Sequence, residues 1–204
     1  MNIGYIIFHE LTGINVIMLY SNEIFKSMKN ADGENTIAPR RGTEMVGLID
    51  VIAATLAFVI VKRLGRRTLL IFGHIGIAIC HAGVAFLNSK NNDVGVLFMI
   101  LLFIIVYQVT SGPVCWLYAT ETTIDAAFGL CLLVLWGTVL ILARICPPLM
   151  SDEGIGETNV FYLFSALSFF GAIYAYVFIK ETRGLTDKEK KELFMPEIER
   201  AKLI

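Results

Sequence analysis

Acidic, imidazole and amide side chains interrupt two long apolar segments of this chain. His9 and Glu10 lie midway through the first segment, which also carries Asn15, and Asp50 lies near the start of the second. Charges are costly in hydrocarbon, so such residues must face protein or a water-filled cavity. Two interpretations stay open. Either Glu10, Asn15 and Asp50 line a substrate or proton pathway, or the acids are protonated or hydrogen-bonded and only fix helix packing.

A further polar stretch surrounds Gly112 and Pro113 and includes Gln108 and Trp116. Proline removes a backbone hydrogen bond and glycine weakens the adjoining turn, so freed carbonyl groups could face a cavity. The stretch therefore predicts a hinge at Gly112 and Pro113, with an ordinary proline kink as the alternative.

Metal, cofactor and enzyme chemistry has little support in the sequence. His74 and His81 share one helix face without a third ligand, which favours interhelical hydrogen bonds over a metal site. The four cysteines show no CxxC or Cys/His spacing, and we find no nucleophile and base pair or phosphate loop. We predict no metal site, no cofactor and no enzymatic activity.

Composition identifies the elements that must position these residues. The chain has 204 residues, of which 56% are hydrophobic and 17% charged, and its mean hydropathy is +0.68. A membrane-spanning helix needs about 20 apolar residues. We therefore predict an all-α membrane protein whose residues 1–179 form a bundle of six transmembrane helices, at about 2–20, 44–61, 68–87, 94–118, 126–145 and 159–179.

The polar segments fix the expected orientation. An exposed loop is predicted at 21–43 and a charged tail at 180–204, where Thr186 and Glu189 form a capping-box pattern and Pro196 would interrupt the helix. Most of the 17 Lys and Arg residues fall on the side of both termini. By the positive-inside rule this side is cytoplasmic, or matrix-facing in a mitochondrial inner membrane. Net charge is only −1, and without a continuous basic surface nucleic acid is not an expected partner.

Four motifs follow one another along the chain: Thr-Gly-Ile-Asn at 12–15, Lys-Arg-Leu-Gly-Arg-Arg-Thr-Leu at 62–69, Gly-Pro-Val-Cys-Trp at 112–116 and Lys-Glu-Thr-Arg-Gly at 180–184. In order and spacing they resemble the C-terminal half of a sugar porter of the major facilitator superfamily. The matching family patterns are S-G-I-N, D/E-R-x-G-R-R-x-L, G-P-x-P-W and P-E-T-K-G.

The resemblance implies two three-helix repeats, which form half of a major facilitator fold and present a sugar site to a partner bundle. Rocking of the two halves would give alternating access. It assigns the substrate-binding positions to His9, Glu10, Asn15, Asp50, Gln108, Trp116 and Trp136.

Several of these positions depart from the family. His9 and Glu10 replace two glutamines, Asp50 replaces an asparagine, Gln108 replaces an acid, and Leu135 replaces the amide that precedes Trp136. Amides suit sugar hydroxyls because they both donate and accept hydrogen bonds. These changes weaken the expectation of sugar binding.

The resemblance also implies a charged gate formed by Arg63, Arg66, Arg67 and Glu121. Lys62 stands where the family has an acid, and no arginine follows Glu121 in the next segment. The expected charge network is therefore incomplete.

Two functions remain open. The chain could be a half-transporter that carries a hexose or related solute with a second six-helix half, or with a homodimer mate, and with proton coupling through Glu10 or Asp50. Alternatively, it could be a transport-inactive accessory subunit of a larger membrane complex. Both require the lipid bilayer and a protein partner, because a monomer would expose Glu10, Asn15, Asp50 and Gln108 to lipid. The membrane could be the plasma membrane, an endomembrane or the mitochondrial inner membrane.

Overall fold

The computed structural model describes residues 1–27, 38–123, 125–151 and 153–194. Within these ranges the chain is all-α and has no strand, as predicted. Its helices are α1 (Asn2–Glu10), α2 (Ile14–Ser27), α3 (Pro39–Arg63), α4 (Arg66–Asn88), α5 (Asp93–Val109), α6 (Ser111–Thr122), α7 (Asp125–Met150), α8 (Glu157–Phe178) and α9 (Asp187–Phe194).

Six helical segments in the described ranges are long and apolar enough to cross a membrane. They are Asn2–Lys26, Pro39–Arg63, Arg66–Asn88, Asp93–Thr122, Ala126–Met150 and Glu157–Phe178. Most extend beyond the expected boundaries, and the predicted loop at 21–43 is helical at both ends. Ile24 and Phe25 are buried and extend the first span, while Pro39 begins α3, where its missing N–H is no loss. Residues 28–37 and Pro196 lie outside the described residues.

Two spans are interrupted near mid-depth. The first breaks between Glu10 and Ile14, where Gly13 has φ +79° and the Thr12 hydroxyl donates to the His9 carbonyl over 2.6 Å. The fourth breaks at Thr110, whose φ is −122° and ψ is −86°. Gly112 and Pro113, the predicted hinge, lie inside the first turn of α6, directly after this break. The reason is that Pro113 offers no N–H to the carbonyl four residues earlier, so the irregular geometry precedes the ring.

Packing is tightest around α4. In the most apolar window of each span, 56% of α4 is buried inside the bundle, against 17% of α3 and 22% of α7. Close packing of α4 on α8 depends on Gly171, because a Cβ atom there would collide with the His74 ring. The faces of α3 and α7 remain uncovered by the described residues.

Gly13 provides a test of the first break. Gly13→Ala should lower the free energy of unfolding by about 1–2 kcal/mol, because an L side chain is strained at positive φ. The added Cβ would also lie 3.1 Å from the Phe164 ring. Thermal unfolding in mild detergent measures the effect. Gly137→Ala is the matched control, since a Cβ there contacts nothing within 4 Å, and its stability should be unchanged or raised. Equal losses in both variants would contradict the assigned geometry.

Candidate functional site

A cavity of about 360 Å³ lies beside both helix breaks. Six of the seven substrate-binding candidates line it, whereas Asp50 does not. The lining residues are His9, Glu10, Ile14, Asn15, Met18, Tyr107, Gln108, Gly112, Pro113, Trp116, Leu135 and Trp136. The structure thus brings side chains from α1, α2, α5, α6 and α7 to one place.

Glu10 and Asn15 connect the two sides of the first break. The Asn15 amide nitrogen donates to Glu10 Oε2 over 2.5 Å, from the first turn of α2 to the last residue of α1. Only 2% of Glu10 is exposed. The expectation that Glu10 would lie on a lipid-exposed face was therefore wrong, because the break folds its carboxyl group into the bundle.

His9 is held by a buried hydrogen-bond network behind the cavity. Its Nε2 lies 2.9 Å from the Tyr107 hydroxyl and its Nδ1 lies 3.1 Å from Ser111 Oγ, which is 3.2 Å from the Tyr5 hydroxyl. Both ring nitrogens of His9 thus have protein partners, so His9 braces the cavity wall. Tyr107 and Ser111 belong to the polar stretch around Gly112 and Pro113 but were not among the predicted substrate-binding residues, and neither was Tyr5. Tyr107 and Ser111 flank the break in the fourth span, whereas nothing in the sequence around Tyr5 indicates a contact with the site.

Asp50 is connected to the cavity only through Gln108. The Gln108 amide nitrogen donates to Asp50 Oδ1 over 2.5 Å, which connects α5 to α3. Asp50 is half-buried and Gln108 itself lines the cavity. A second pair of acid and amide therefore borders the cavity, with its acid further from the lining.

Aromatic rings form the open part of the cavity. Trp136 is 64% exposed and Trp116 is 37% exposed, and Trp116 makes an edge contact with Phe128. Leu135 is buried and presents an apolar group beside them. The cavity lining therefore combines two amide side chains with two indole rings.

The two histidines of α4 do not share one role. His81 Nε2 donates to the Thr12 carbonyl over 2.8 Å, which confirms an interhelical hydrogen bond at this position. His74 Nδ1 instead donates to the Leu70 carbonyl of its own helix over 3.0 Å, and the Tyr5 hydroxyl lies 3.5 Å away. His81 thus supports the first break directly, whereas the shorter hydrogen bond of His74 is local.

The predicted gate forms in part. Arg66 donates to Glu121 Oε1 over 3.1 Å. Arg67 donates instead to the Tyr176 carbonyl over 2.7 Å, and its guanidinium lies 5.4 Å from the Tyr176 ring centroid. Arg63 is exposed and forms no ion pair with the described residues. Arg66 and Glu121 therefore form the expected contact, Arg63 does not join it, and a gating role for these residues stays a prediction.

The tail contributes contacts that the sequence analysis missed. Glu181 accepts from the backbone N–H groups of Arg66 and Arg67 over 2.9 and 3.1 Å, which caps the N-terminus of α4. Glu121 also accepts from the Thr182 hydroxyl over 2.7 Å and pairs with Lys190 at 3.5 Å. These contacts supply Glu121 and the basic turn with partners at the end of the bundle where the expected charge network is incomplete. The residues that could have indicated them are Glu181 and Thr182 of the tail motif.

Contacts in α9 and at the N-terminus complete this end of the bundle. Thr186 and Glu189 form the expected capping box, which lowers the pKa of the Glu189 carboxyl through hydrogen bonds from Thr186. At the other terminus, the Asn2 amide donates to the Thr122 hydroxyl over 2.7 Å. The start of the first span and the tail therefore meet at the same end of the bundle as the basic turn.

Six membrane-spanning segments identify an integral membrane protein, and helices interrupted beside a cavity are typical of transporter folds. The chain belongs to the family described as Sugar (and other) transporter, which matches residues 1–194.

Individual relatives agree with this assignment. A probable metabolite transport protein of Bacillus subtilis is 31% identical over 198 residues, which cover 93% of this chain and 42% of that protein. The D-xylose-proton symporter of Escherichia coli is 27% identical over 201 residues, which cover 94% of this chain and 40% of the symporter. This chain thus spans about two-fifths of the length of these relatives.

The fold matches a solved structure. The major facilitator superfamily proton:xylose symporter XylE, bound to 6-bromo-6-deoxy-D-glucose, superposes with a TM-score of 0.82 at 24% identity. The match covers 95% of this chain and 42% of XylE. The predicted fold class, half of a major facilitator fold, is thereby confirmed. These relatives are transporters, so the protein belongs to a transporter family and not to an enzyme family.

Proposed function

We propose that this six-helix unit forms one wall of a sugar pathway and carries a hexose or related solute by alternating access with a second six-helix unit. The observation that carries the proposal is the cavity that Asn15, Gln108, Trp116 and Trp136 line together. The relatives include the D-xylose-proton symporter of Escherichia coli, which supports a sugar as the solute.

The need for a second unit follows from the uncovered faces of α3 and α7. Both carry exposed apolar side chains, including Phe58 on α3 and Leu133 and Trp136 on α7. Asn15, Asp50 and Gln108 are only half-buried. Hydrocarbon offers no hydrogen-bond partners to such groups, which favours a protein partner: a second half or a homodimer mate.

The orientation proposal follows from the basic turn and the tail. The turn that joins α3 to α4 carries Lys62, Arg63, Arg66 and Arg67, and Glu181 of the tail contacts its end. We place this end, with both chain termini, on the cytoplasmic or matrix side, since positive residues accumulate there.

A second candidate is an accessory subunit without transport activity. It is favoured by the amides of Asn15 and Gln108, each of which already donates to a carboxyl group, and by the apolar Leu135 at the cavity. A sugar hydroxyl left without a partner costs about 1–3 kcal/mol. Under this alternative, the unit would retain the fold to pack within a larger membrane complex.

Tryptophan fluorescence separates the two candidates. The chain has two tryptophans, and both line the cavity. The protein is purified in mild detergent with its copurifying partners and titrated with D-glucose, D-xylose and L-glucose. We expect a saturable, stereospecific change that the Trp116→Phe, Trp136→Phe double variant removes. This difference isolates the signal of this chain from that of any partner.

Asn15→Ala should weaken sugar binding about tenfold, because one hydrogen bond to a sugar hydroxyl is lost. Asn159→Ala is the matched control, since Asn159 is exposed and its amide donates only to the Ile155 carbonyl. No stereospecific fluorescence change, together with no sugar flux into liposomes above empty vesicles, would overturn the transporter proposal and support the accessory role.

A further inference from the structure

We propose that Glu10 is a proton-binding site and that its protonation selects which hydrogen-bonding atoms of Asn15 face the cavity. Proton binding and sugar binding would then be coupled within this six-helix unit. The proposal rests on the proposed function, because it concerns how the same cavity recognises its solute.

The surroundings of Glu10 favour a carboxyl group that exchanges its proton. Glu10 is 2% exposed and lies at the interruption of the first span, beside the cavity. No Lys or Arg pairs with it among the described residues, and the nearest imidazole nitrogen, His9 Nε2, is 3.9 Å from Glu10 Oε1. A permanent charge without a close cation is costly at this depth, whereas the open cavity gives water a route to the carboxyl group.

The hydrogen bond that Asn15 forms with Glu10 depends on whether Glu10 is protonated. An ionised carboxylate only accepts hydrogen bonds, so it holds the Asn15 amide nitrogen, as observed at 2.5 Å. The carbonyl oxygen and the second N–H of Asn15 then remain for a solute. When Glu10 takes a proton from hydronium in the cavity water at Oε2, the new O–H is a hydrogen-bond donor, and it can donate to Asn15 Oδ1 once the amide turns over. Both N–H groups of Asn15 then remain for the solute.

The two states therefore offer a sugar different partners at one position. The ionised state presents an acceptor and a donor, and the protonated state presents donors only. The step balances: one O–H bond of hydronium breaks and leaves a water molecule, one O–H bond forms on Glu10, and an O–H···O hydrogen bond replaces an N–H···O hydrogen bond. A hydroxyl group that fits one arrangement fits the other less well, which is the physical basis of the coupling.

Other titratable groups surround Glu10 on several helices. Cavity-lining residues of α7 are Leu135 and Trp136, which do not titrate. His9 on α1 lies 3.9 Å from Glu10, and Tyr107 on α5 and Cys115 on α6 interact with it electrostatically. Asp50 on α3 and His74 and His81 on α4 are further titratable groups of the bundle, each with a hydrogen-bond partner other than Glu10. Asp50 is the informative comparison, because it also accepts from an amide of the cavity but is half-buried and does not line it.

Infrared difference spectroscopy tests the proton site without any sugar. Spectra of the purified protein with its partners are compared between about pH 5 and about pH 9, a range in which buried carboxyl groups of proteins can titrate. We expect a protonated-carboxyl band that disappears in Glu10→Gln, persists in Asp50→Asn and shifts in Asn15→Ala. Glu10→Asp keeps an acid at this position and should keep a titrating band. An unchanged band in Glu10→Gln would overturn the proposal.

Sugar affinity measured by tryptophan fluorescence across the same pH range tests the coupling. We expect a change of about five- to tenfold in the unsubstituted protein, the effect of one hydrogen bond gained or lost. The sugar affinity of Glu10→Gln should not change with pH, whereas that of Asp50→Asn should change as in the unsubstituted protein. The same pH dependence in Glu10→Gln would overturn the coupling. Absence of sugar binding at every pH would defeat the proposed function and the coupling with it, while the infrared result would still decide whether Glu10 binds the proton.

Discussion

Glu121→Gln is expected to loosen the tail and to lower the free energy of unfolding by about 2 kcal/mol, between the values typical of exposed and fully buried ion pairs. Glu121 pairs with Arg66 at 3.1 Å and Lys190 at 3.5 Å, and it accepts from the Thr182 hydroxyl. The side chains of Arg66 and Glu121 are 17% and 11% exposed, so solvent screens the pair only weakly. Arg66 Nε already lacks a partner among the described residues, which leaves this guanidinium few alternatives.

Thermal unfolding in detergent and trypsin cleavage after the exposed Arg183 measure the effect together. Faster cleavage should accompany the lower stability, because Thr182 and α9 both lose a contact. Glu44→Gln is the matched control: Glu44 pairs with Arg40, but the two side chains are 61% and 90% exposed. Its effect should stay within about 0.5 kcal/mol. Equal effects of the two substitutions, or unchanged cleavage after Arg183, would contradict the role of Glu121 as an anchor for the tail.

The spans were predictable because their signal is local. A bilayer demands a minimum length of apolar sequence, and charged turns such as the one at Lys62 and Arg63 mark the ends. Sequence also identified the residues around the cavity, since Glu10, Asn15 and Gln108 are polar where the helix should be apolar. Polar residues in such segments must converge on a shared interior, and the structure places these three at one cavity.

The helix breaks and their supports were not predictable in detail. Thr110 adopts irregular geometry because of the proline that follows it, and the positive φ of Gly13 depends on how α1 and α2 pack. The contact between Tyr5 and Ser111 joins residues 106 positions apart, and the cap of α4 by Glu181 spans 115 positions to Arg66. Such contacts depend on tertiary placement, which local periodicity and motif spacing do not encode.

His81→Phe should lower the free energy of unfolding by about 1–3 kcal/mol, the cost of a buried carbonyl left without a donor. The first backbone hydrogen bond of α2 runs from Ile17 N to Gly13 O, which leaves the Thr12 carbonyl outside the helix. His81 Nε2 supplies its donor over 2.8 Å. Phenylalanine keeps an aromatic ring among Phe103, Phe161 and Phe164, so the substitution mainly removes the hydrogen bond.

This loss should also reach the cavity, because Asn15 follows Thr12 closely and its amide direction depends on the break. We therefore expect His81→Phe to weaken sugar binding, measured by tryptophan fluorescence, beyond what reduced stability alone would produce at a temperature where the variant stays folded. His81→Gln retains an N–H donor while it removes the ring, so it should lose packing stability but keep more of the sugar affinity. Reversal of that order would assign His81 a packing role only. Unchanged stability in His81→Phe would mean that cavity water serves the Thr12 carbonyl and that the first break needs no support from α4.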